Sequence, residues 1–181
     1  MTLPEPGAPF ITTERLEVSI PTRDDIPGLL AIVAQPETHR YLGPMGTTST
    51  HLSRTLRHIG SWLVYGYGLC VVKRRGGRDP IGNCAIFHGH RDLGPDFDER
   101  PEAGWIIHAD HIGQGVASEA MQALLHWFDI AHGREVVCLI DPENAASLRL
   151  ADKLGFAHLR DATMPGGGER VVLLRRPPAG A

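Results

Sequence analysis

Hydrophobic positions alternate with polar ones in some segments of the chain and recur every three or four residues in others, which indicates interleaved strands and helices. Alternation at residues 16–20 predicts a first strand. Leu52, Leu56, Ile59 and Leu63 follow one another at spacings of four, three and four, which predicts a helix with one apolar face. The remaining pattern predicts a helix at 26–33, a second from 116 to 128 and a third that begins after Asp141-Pro142 and ends at residue 154. It predicts strands at 69–73, 81–87, 103–109, 136–140, 156–160 and 170–174.

Length and composition indicate one globular domain. The chain has 181 residues, of which 42% are hydrophobic, and this is enough to bury a core. We expect residues 1–181 to form a single domain, with its core at about 12–176 and a tail at 177–181. The formal net charge of -3 lies far from the basic balance of dedicated nucleic-acid-binding proteins, so we expect no nucleic-acid partner.

Cysteine spacing and hydropathy bear on the compartment. Cys70, Cys84 and Cys138 form no C-x-x-C pair and are odd in number, so neither a disulfide framework nor a zinc ribbon is indicated. Residues 1–10 contain no basic segment followed by an apolar one, and the chain contains no apolar run of about 18 residues. We therefore expect reduced thiols, a cytoplasmic location and no membrane partner.

A glycine pair, Gly113 and Gly115, lies between a predicted strand and a predicted helix. Glycines at such a junction let main-chain N–H groups approach an anion closely, and a helix N-terminus favours phosphate. Ser118 stands where a dinucleotide-binding fingerprint has its third glycine, and the Lys-Ser/Thr of a P-loop is absent. A tight structural turn, a phosphate site of another kind and a generic α/β nucleotide site remain the alternatives at this point.

Six short motifs in a fixed order are more specific than the glycine pair alone. In these motifs, which span roughly residues 12–160, the sequence resembles the GNAT superfamily of acyl-CoA-dependent N-acyltransferases. The resemblance is close to the RimJ/RimL-like branch, named for ribosomal-protein N-terminal acetyltransferases. The motifs are Thr13-Glu14-Arg15-Leu16, Pro80-Ile81-Gly82, Glu102-Ala103-Gly104-Trp105-Ile106-Ile107, Gly113-Gln114-Gly115-Val116-Ala117-Ser118-Glu119-Ala120, Asp141-Pro142-Glu143-Asn144-Ala145-Ala146-Ser147 and Lys153-Leu154-Gly155-Phe156.

The resemblance implies an α/β GNAT fold: a mixed, twisted sheet of six or seven strands, splayed between its fourth and fifth strands and flanked by about four helices. It implies acetyl-CoA as co-substrate. The fourth strand, around Ile106, Ile107 and His108, is expected to hold the pantetheine arm at its edge, and Asn144 to hydrogen-bond that arm. The main-chain N–H groups expected to bind the pyrophosphate belong to Gly113, Gln114, Gly115, Val116, Ala117 and Ser118, although Ile112 replaces the Gln or Arg usual at the first position.

Direct acyl transfer needs a base for the amine, a donor to the thioester carbonyl and an acid for the departing thiolate. By resemblance to the branch, Glu102 is the first candidate base, acting through a water, and Ser147 is the candidate acid at the cofactor's sulfur; the late tyrosine that many members use is absent. His108 is the second candidate base, because strand alternation puts it on the face of Glu102. The carbonyl donor is expected at the main-chain N–H of Ile107 or His108.

Two further clusters carry weaker signals. His88 and His90 have an H-x-H spacing that can bind a metal, but no third ligand stands nearby, so we expect no metal site. Residues 73–78 form a basic hairpin tip, which is typical of a solvated turn and could also meet an acidic substrate or the 3′-phosphate of coenzyme A.

The expected activity is direct transfer of an acetyl group from acetyl-CoA to a primary amine. The first expectation for the acceptor is a protein or peptide N-terminal α-amine, and a small-molecule amine, amino acid or antibiotic is the alternative. A non-catalytic acyl-CoA sensor is the competing function, because the tyrosine is missing and Ile112 departs from the loop pattern. A homodimer is left open by the sequence.

Overall fold

The computed structural model describes residues 2–43, 46–166 and 168–179. Its strands are β1 (Pro9–Thr12), β2 (Leu16–Ser19), β3 (Leu69–Arg74), β4 (Pro80–Phe87), β5 (Glu102–Ile107), β6 (Val136–Ile140), β7 (Ala157–Thr163) and β8 (Arg170–Arg176). Its helices are α1 (Ile26–Val33), α2 (Pro36–His39), α3 (Thr48–Tyr65), α4 (Pro95–Asp98), α5 (Val116–His132) and α6 (Ala145–Lys153), with short 3-10 turns at Arg23–Asp25 and Ala109–His111.

All the strands of these ranges belong to one sheet, in the order β1-β2-β3-β4-β5-β6-β8-β7. Neighbouring strands run antiparallel except β5 and β6, so the predicted mixed sheet and GNAT fold are confirmed. The sheet has eight strands, not the expected six or seven, and the strand that the sequence did not predict is β1. β1 has only four residues, and its ends are exposed. α1, α3, α5 and α6 are the four predicted helices, and no helix of the described ranges is long and apolar enough to span a membrane.

The sheet is split between β5 and β6. β4 and β5 pair over six residues, whereas β5 and β6 are in register only at Glu102 and Val137. The main-chain N–H of Val137 donates to the carbonyl of Pro101 at 2.8 Å, just before the strands part. The predicted splay between the fourth and fifth predicted strands is confirmed, and it opens toward the carboxyl end of β5.

α5 fixes the position of the glycine loop that precedes it. Ala120, Met121, Leu124 and Phe128 of this helix are at most 1% exposed and belong to the main core cluster. The helix packs across β2, β4 and β5, so its N-terminus is held at the end of the sheet where the gap opens. Burial of this apolar face is therefore what places the loop.

α3 is confirmed as a helix, but only part of its predicted apolar stripe faces the core, where Ile59 packs against a buried cluster. Leu63 is 83% exposed and Leu56 is 52% exposed, whereas His51, Thr55 and His58 are buried. Local packing decides the orientation. The Trp62 indole N–H donates to the Leu69 carbonyl at 2.9 Å, and a Cβ on Gly68 would lie only 2.5 Å from the His58 carbonyl oxygen. The spacing of the leucines predicted one apolar side and could not show which side meets the sheet.

A buried ion pair ties the turn before α1 to β3. Asp25 is 3% exposed, and its Oδ1 lies 2.6 Å from Lys73 Nζ. Its Oδ2 accepts hydrogen bonds from the main-chain N–H and the hydroxyl of Thr22, at 2.8 and 3.0 Å. Burial alone would raise the pKa of Asp25, but Lys73 and Thr22 outweigh it and lower the pKa below 3.8. The pair therefore stabilises the fold only while Asp25 is ionised.

Asp25→Asn is expected to lower the free energy of unfolding at pH 7 by about 3 kcal/mol, because it leaves Lys73 without its partner. The pKa of Asp25 is lower in the folded than in the unfolded chain, so its contribution is complete above about pH 4 and is lost as the pH falls through the folded value. Urea unfolding between pH 2 and 7 measures both effects. The exposed neighbour Asp24→Asn is the control. An acid dependence that is the same in Asp25→Asn and wild type would contradict this assignment.

Candidate active site

A cavity of about 240 Å³ lies in the gap between β5 and β6. Residues 102–106 of β5 form one wall, and residues 138–140 of β6 form the other. Asn144 and Ser147 reach it from the start of α6. Polar side chains of α3, three of them buried and Arg54 exposed, line it as well. The cavity therefore joins the split in the sheet to the two helices whose polar side chains face it.

The glycine loop lies between the 3-10 turn that follows β5 and the first turn of α5. Gly113 and Gly115 have φ angles of 77° and 78°, a region that residues with a Cβ rarely adopt. In the part of the chain that the structure describes, none of the main-chain N–H groups from Gly113 to Ser118 donates a hydrogen bond. Free donors at the N-terminus of a 17-residue helix favour an anion, so this loop is suited to hold a diphosphate.

Two arginines that the sequence analysis did not assign to the site hold this loop. Arg15 Nη1 donates to the Gln114 carbonyl at 3.1 Å, and Arg74 Nη2 donates to Gln114 Oε1 at 2.8 Å. Gln114 Nε2 in turn donates to the Asp110 carbonyl at 2.6 Å. Arg15 is paired with Glu119, whereas Arg74 forms no ion pair with a described residue. The guanidinium of Arg74 therefore brings positive charge to the loop, which supplies the cationic character that Ile112 lacks. Arg15 belongs to a family motif and Arg74 to the basic hairpin tip, which are the sequence signals that could have identified them.

Glu119 anchors the first turn of α5 to the segment before β2. Its Oε1 accepts from the Thr13 hydroxyl at 2.5 Å, and its Oε2 accepts from Arg15 Nε at 2.7 Å. Burial would raise the pKa of this carboxyl, but the hydrogen bonds from Thr13 and Arg15 lower it overall. The ionised side chain therefore fixes both the loop and the guanidinium of Arg15.

The edge of β5 that faces the gap has free main-chain groups. The N–H of His108 donates to the Ile81 carbonyl on the β4 side at 2.9 Å. Because successive residues of a strand point their main-chain groups to opposite sides, the N–H groups of Trp105 and Ile107 point toward the gap. Of the two carbonyl donors expected from the sequence, Ile107 is thus available and the His108 N–H is already bound.

His108 is not brought together with Glu102. β5 ends at Ile107, and His108 caps the following 3-10 turn, so the strand alternation that would align it with Glu102 stops. Its Nδ1 accepts from the Asp110 N–H at 3.2 Å, and its Nε2 lies 2.7 Å from Gln35 Nε2. Its ring does not line the cavity. Of the three predicted catalytic side chains, only those of Glu102 and Ser147 do so.

Glu102 lies where the two strands begin to part and is 4% exposed. Its two oxygens accept from Arg91 Nε and Nη2, at 2.7 and 2.6 Å. Burial would lower the pKa of the Arg91 guanidinium, but the charge and hydrogen bonds of Glu102 raise it. A Cβ at Gly89 would collide with Oε2 of Glu102. Sequence reasoning missed Arg91, which lies in the polar loop between β4 and β5.

Asn144 and Ser147 are joined at the start of α6. The Ser147 main-chain N–H donates to Asn144 Oδ1 at 3.1 Å, so Asn144 caps the helix and keeps its side-chain NH₂ free to donate. The Trp105 indole N–H donates to Ser147 Oγ at 3.3 Å, across the gap from β5 to α6. The Ser147 hydroxyl thus accepts from Trp105 and retains its own proton as a donor.

Neither the His88 and His90 pair nor Cys138 provides a reactive group for the cavity. His88 Nε2 lies 2.8 Å from the Tyr67 hydroxyl, and the ring centroids of His88 and His90 are 5.9 Å apart. Within the described ranges, no group of three His, Cys, Asp or Glu side chains is arranged to hold a metal. Cys138 lines the cavity, but burial raises the pKa of its thiol, so it stays protonated and is unsuited as a nucleophile.

Comparisons with known proteins agree with this geometry. Residues 15–157 match the family model of the acetyltransferase (GNAT) domain. YkkB of Bacillus subtilis is 31% identical over 96 residues, which are 51% of this chain and 52% of YkkB, so the match spans about half of that relative. The structure of a protein described as a GNAT-family acetyltransferase from Bordetella pertussis has a TM-score of 0.80 and 32% identity, and the match covers 92% of this chain and 98% of that one.

The fold likeness extends to the RimJ/RimL-like branch. RimL, a ribosomal L7/L12 α-N-protein acetyltransferase solved with coenzyme A, has a TM-score of 0.74 at 16% identity, with 96% of this chain and 100% of RimL covered. At this identity the likeness concerns the fold alone. The family match over residues 15–157 is decisive for the rest: the chain belongs to the GNAT acetyltransferase domain family.

Proposed function

We propose that this protein transfers the acetyl group of acetyl-CoA directly to a primary α-amine that enters the cavity between β5 and β6. One observation carries the proposal: β5, whose residues 102–106 line the cavity together with Ser147, is followed along the chain by the 113–118 loop, whose main-chain donors have no partner among the described residues. A diphosphate on the loop would leave the pantetheine arm to run along β5, where an amide-containing chain can complete the strand.

The reacting groups follow from the same arrangement. The Ile107 N–H donates to the thioester carbonyl, and the amine nitrogen bonds to the carbonyl carbon as the C–S bond breaks. The amine's proton passes to Glu102 through a water and from there to solvent. The departing thiolate takes the proton of the Ser147 hydroxyl as the serine oxygen regains one from solvent, so no net proton stays on the protein. Trp105 positions Ser147 through its hydrogen bond to Oγ. Asn144 donates to the pantetheine arm with its free NH₂.

An α-amine suits this base better than a lysine side chain. Both Glu102 oxygens already accept hydrogen bonds from Arg91, so a water between Glu102 and the amine has to share these acceptors. An α-amine has a pKa of about 8 and needs little help, whereas a lysine amine has a pKa of about 10.4. A protein or peptide N-terminus is the first candidate, and a small-molecule α-amine is the second, because a cavity of about 240 Å³ encloses one residue or a small molecule.

Titration calorimetry with acetyl-CoA, followed by a thiol-release assay over peptides and small amines, tests the proposal. We expect saturable acetyl-CoA binding and CoA release that depends on an acceptor with a free α-amine. Peptides with a blocked N-terminus and an internal lysine are the matched negative controls. Saturable binding with no acceptor-dependent release from any amine would contradict the proposal and identify the protein as an acyl-CoA sensor.

Ser147→Ala is expected to lower kcat about 100-fold, because it removes the proton donor to the thiolate. The dissociation constant of acetyl-CoA should change less than about threefold, since the main-chain contacts remain. The matched control is Ser53→Ala, an exposed serine of α3. An unchanged kcat would remove Ser147 from the chemistry.

Glu102→Gln is expected to lower kcat/KM about 100-fold at each pH, because it removes the group that accepts the amine's proton through a water. Acetyl-CoA affinity checks that the variant is folded, and the exposed Glu99→Gln is the control. An unchanged kcat/KM would assign proton removal to water alone.

A further inference from the structure

The acceptor side of the cavity is formed by one polar face of α3. His51, Arg54, Thr55 and His58 all line the cavity. Their spacing of three, four and seven residues from His51 places them on one side of the helix. Leu56 and Leu63 of the same helix are exposed. The orientation of α3 thus turns polar side chains toward the cavity and leaves two leucines exposed to solvent.

Two of these side chains have polar atoms without partners. His51 is 7% exposed, and within the described ranges neither of its ring nitrogens has a hydrogen-bond partner. His58 is 8% exposed and stacks on Phe87 with ring centroids 3.8 Å apart, and its Nε2 also has no partner there. Buried polar atoms are normally satisfied by the protein or by something bound. These nitrogens therefore point to a polar ligand in this part of the cavity.

Arg54 supplies an uncompensated charge at the same place. Arg91 is neutralised by Glu102, but Arg54 forms no ion pair and no hydrogen bond with any described residue. Loss of water lowers the pKa of Arg54, the charges of Arg91 and Arg57 lower it further, and Glu102 only partly opposes them. Burial and the same three arginines lower the pKa of His58 to about 3, so its ring is neutral at pH 7. The local potential on this wall is positive.

Two more carboxylates line the cavity, and neither neutralises Arg54. Asp141 Oδ1 accepts from the Glu143 N–H at 2.7 Å, next to the start of α6. Glu169 lies in the segment before β8 and is exposed. The α3 wall thus keeps a positive charge although the whole chain is slightly acidic.

We propose that the acceptor carries a carboxylate close to its amine, and that Arg54 binds this carboxylate while His51 and Thr55 supply hydrogen bonds. A guanidinium matches a carboxylate with two parallel N–H donors, which gives orientation as well as affinity. The carboxylate can belong to a free amino acid or to an acidic residue beside a peptide N-terminus. The inference rests on the proposed acetyl transfer, since it names the class of acceptor for that reaction.

Matched acceptor pairs test the inference. L-alanine is compared with L-alaninamide, and Ala-Asp-amide with Ala-Asn-amide, by thiol release after correction for the fraction of unprotonated amine. We expect the acidic member of at least one pair to have a kcat/KM about 10- to 100-fold higher, through KM. Arg54→Gln should abolish that preference by lowering kcat/KM for the acidic member to that for the neutral one. Arg57→Gln is the control, because Arg57 lies on the same helix but does not line the cavity.

The outcomes separate this inference from the proposed function. Equal rates for acid and amide, or a preference that survives Arg54→Gln, would overturn the inference while acetyl transfer stands. If no acceptor supports CoA release, binding of N-acetyl-Ala-Asp-amide and N-acetyl-Ala-Asn-amide to the CoA-loaded protein decides. Selective binding of the acidic compound that is lost in Arg54→Gln would support the anion site although the proposed function fails. Equal or absent binding of the two compounds would overturn both. Preference for the first pair identifies a free amino acid, and preference for the second identifies an acidic peptide N-terminus.

Discussion

The structure depends on β5 and β6 meeting at a single residue pair. Beyond Glu102 and Val137 the two strands separate, and the main-chain groups of β5 that would have joined β6 face a cavity instead. A strand edge inside a sheet has donors and acceptors at fixed spacing, and these are costly if they stay buried without partners. A ligand with amide groups can take the place of the missing strand. The gap thus provides a binding site without any loop insertion.

The elements around the gap are arranged along its length. Glu102 and Arg91 lie where the strands still meet, Trp105 and Ser147 cross the gap further along, and the glycine loop lies beyond the end of β5. α5 holds that loop in place through a buried apolar face, and Glu119 fixes its first turn. The order of groups matches the order in which a pyrophosphate, a pantetheine arm, a thioester and an amine would lie along one line.

The sequence predicted the parts of this arrangement that are local. Gly113 and Gly115 are followed by an amphipathic helix, and the family motifs set the strand order, so the fold and the splay could be expected. The orientation of α3 could not be expected, because the spacing of its apolar residues defines one side of the helix and does not show which side packs against the sheet. Trp62 and Gly68 decide that orientation through contacts between elements.

Side-chain pairs between distant elements were also beyond the sequence. Arg91 reaches Glu102 from a loop with no regular pattern, and Arg74 reaches Gln114 across 40 positions of the chain. The alternation argument for His108 was incomplete for a physical reason: β5 stops one residue earlier, and a turn begins there. Strand ends of this kind depend on hydrogen bonds to neighbouring strands, which composition and spacing do not specify.

The central claim is that acetyl-CoA occupies the gap between β5 and β6. A crystal structure of the protein with coenzyme A tests it most directly. We expect the diphosphate on the main-chain N–H groups of residues 113–118, pantetheine amides hydrogen-bonded to the β5 edge at Trp105 and Ile107, and the sulfur beside Ser147. Coenzyme A bound elsewhere, or β5 and β6 paired along their whole length in the complex, would contradict it.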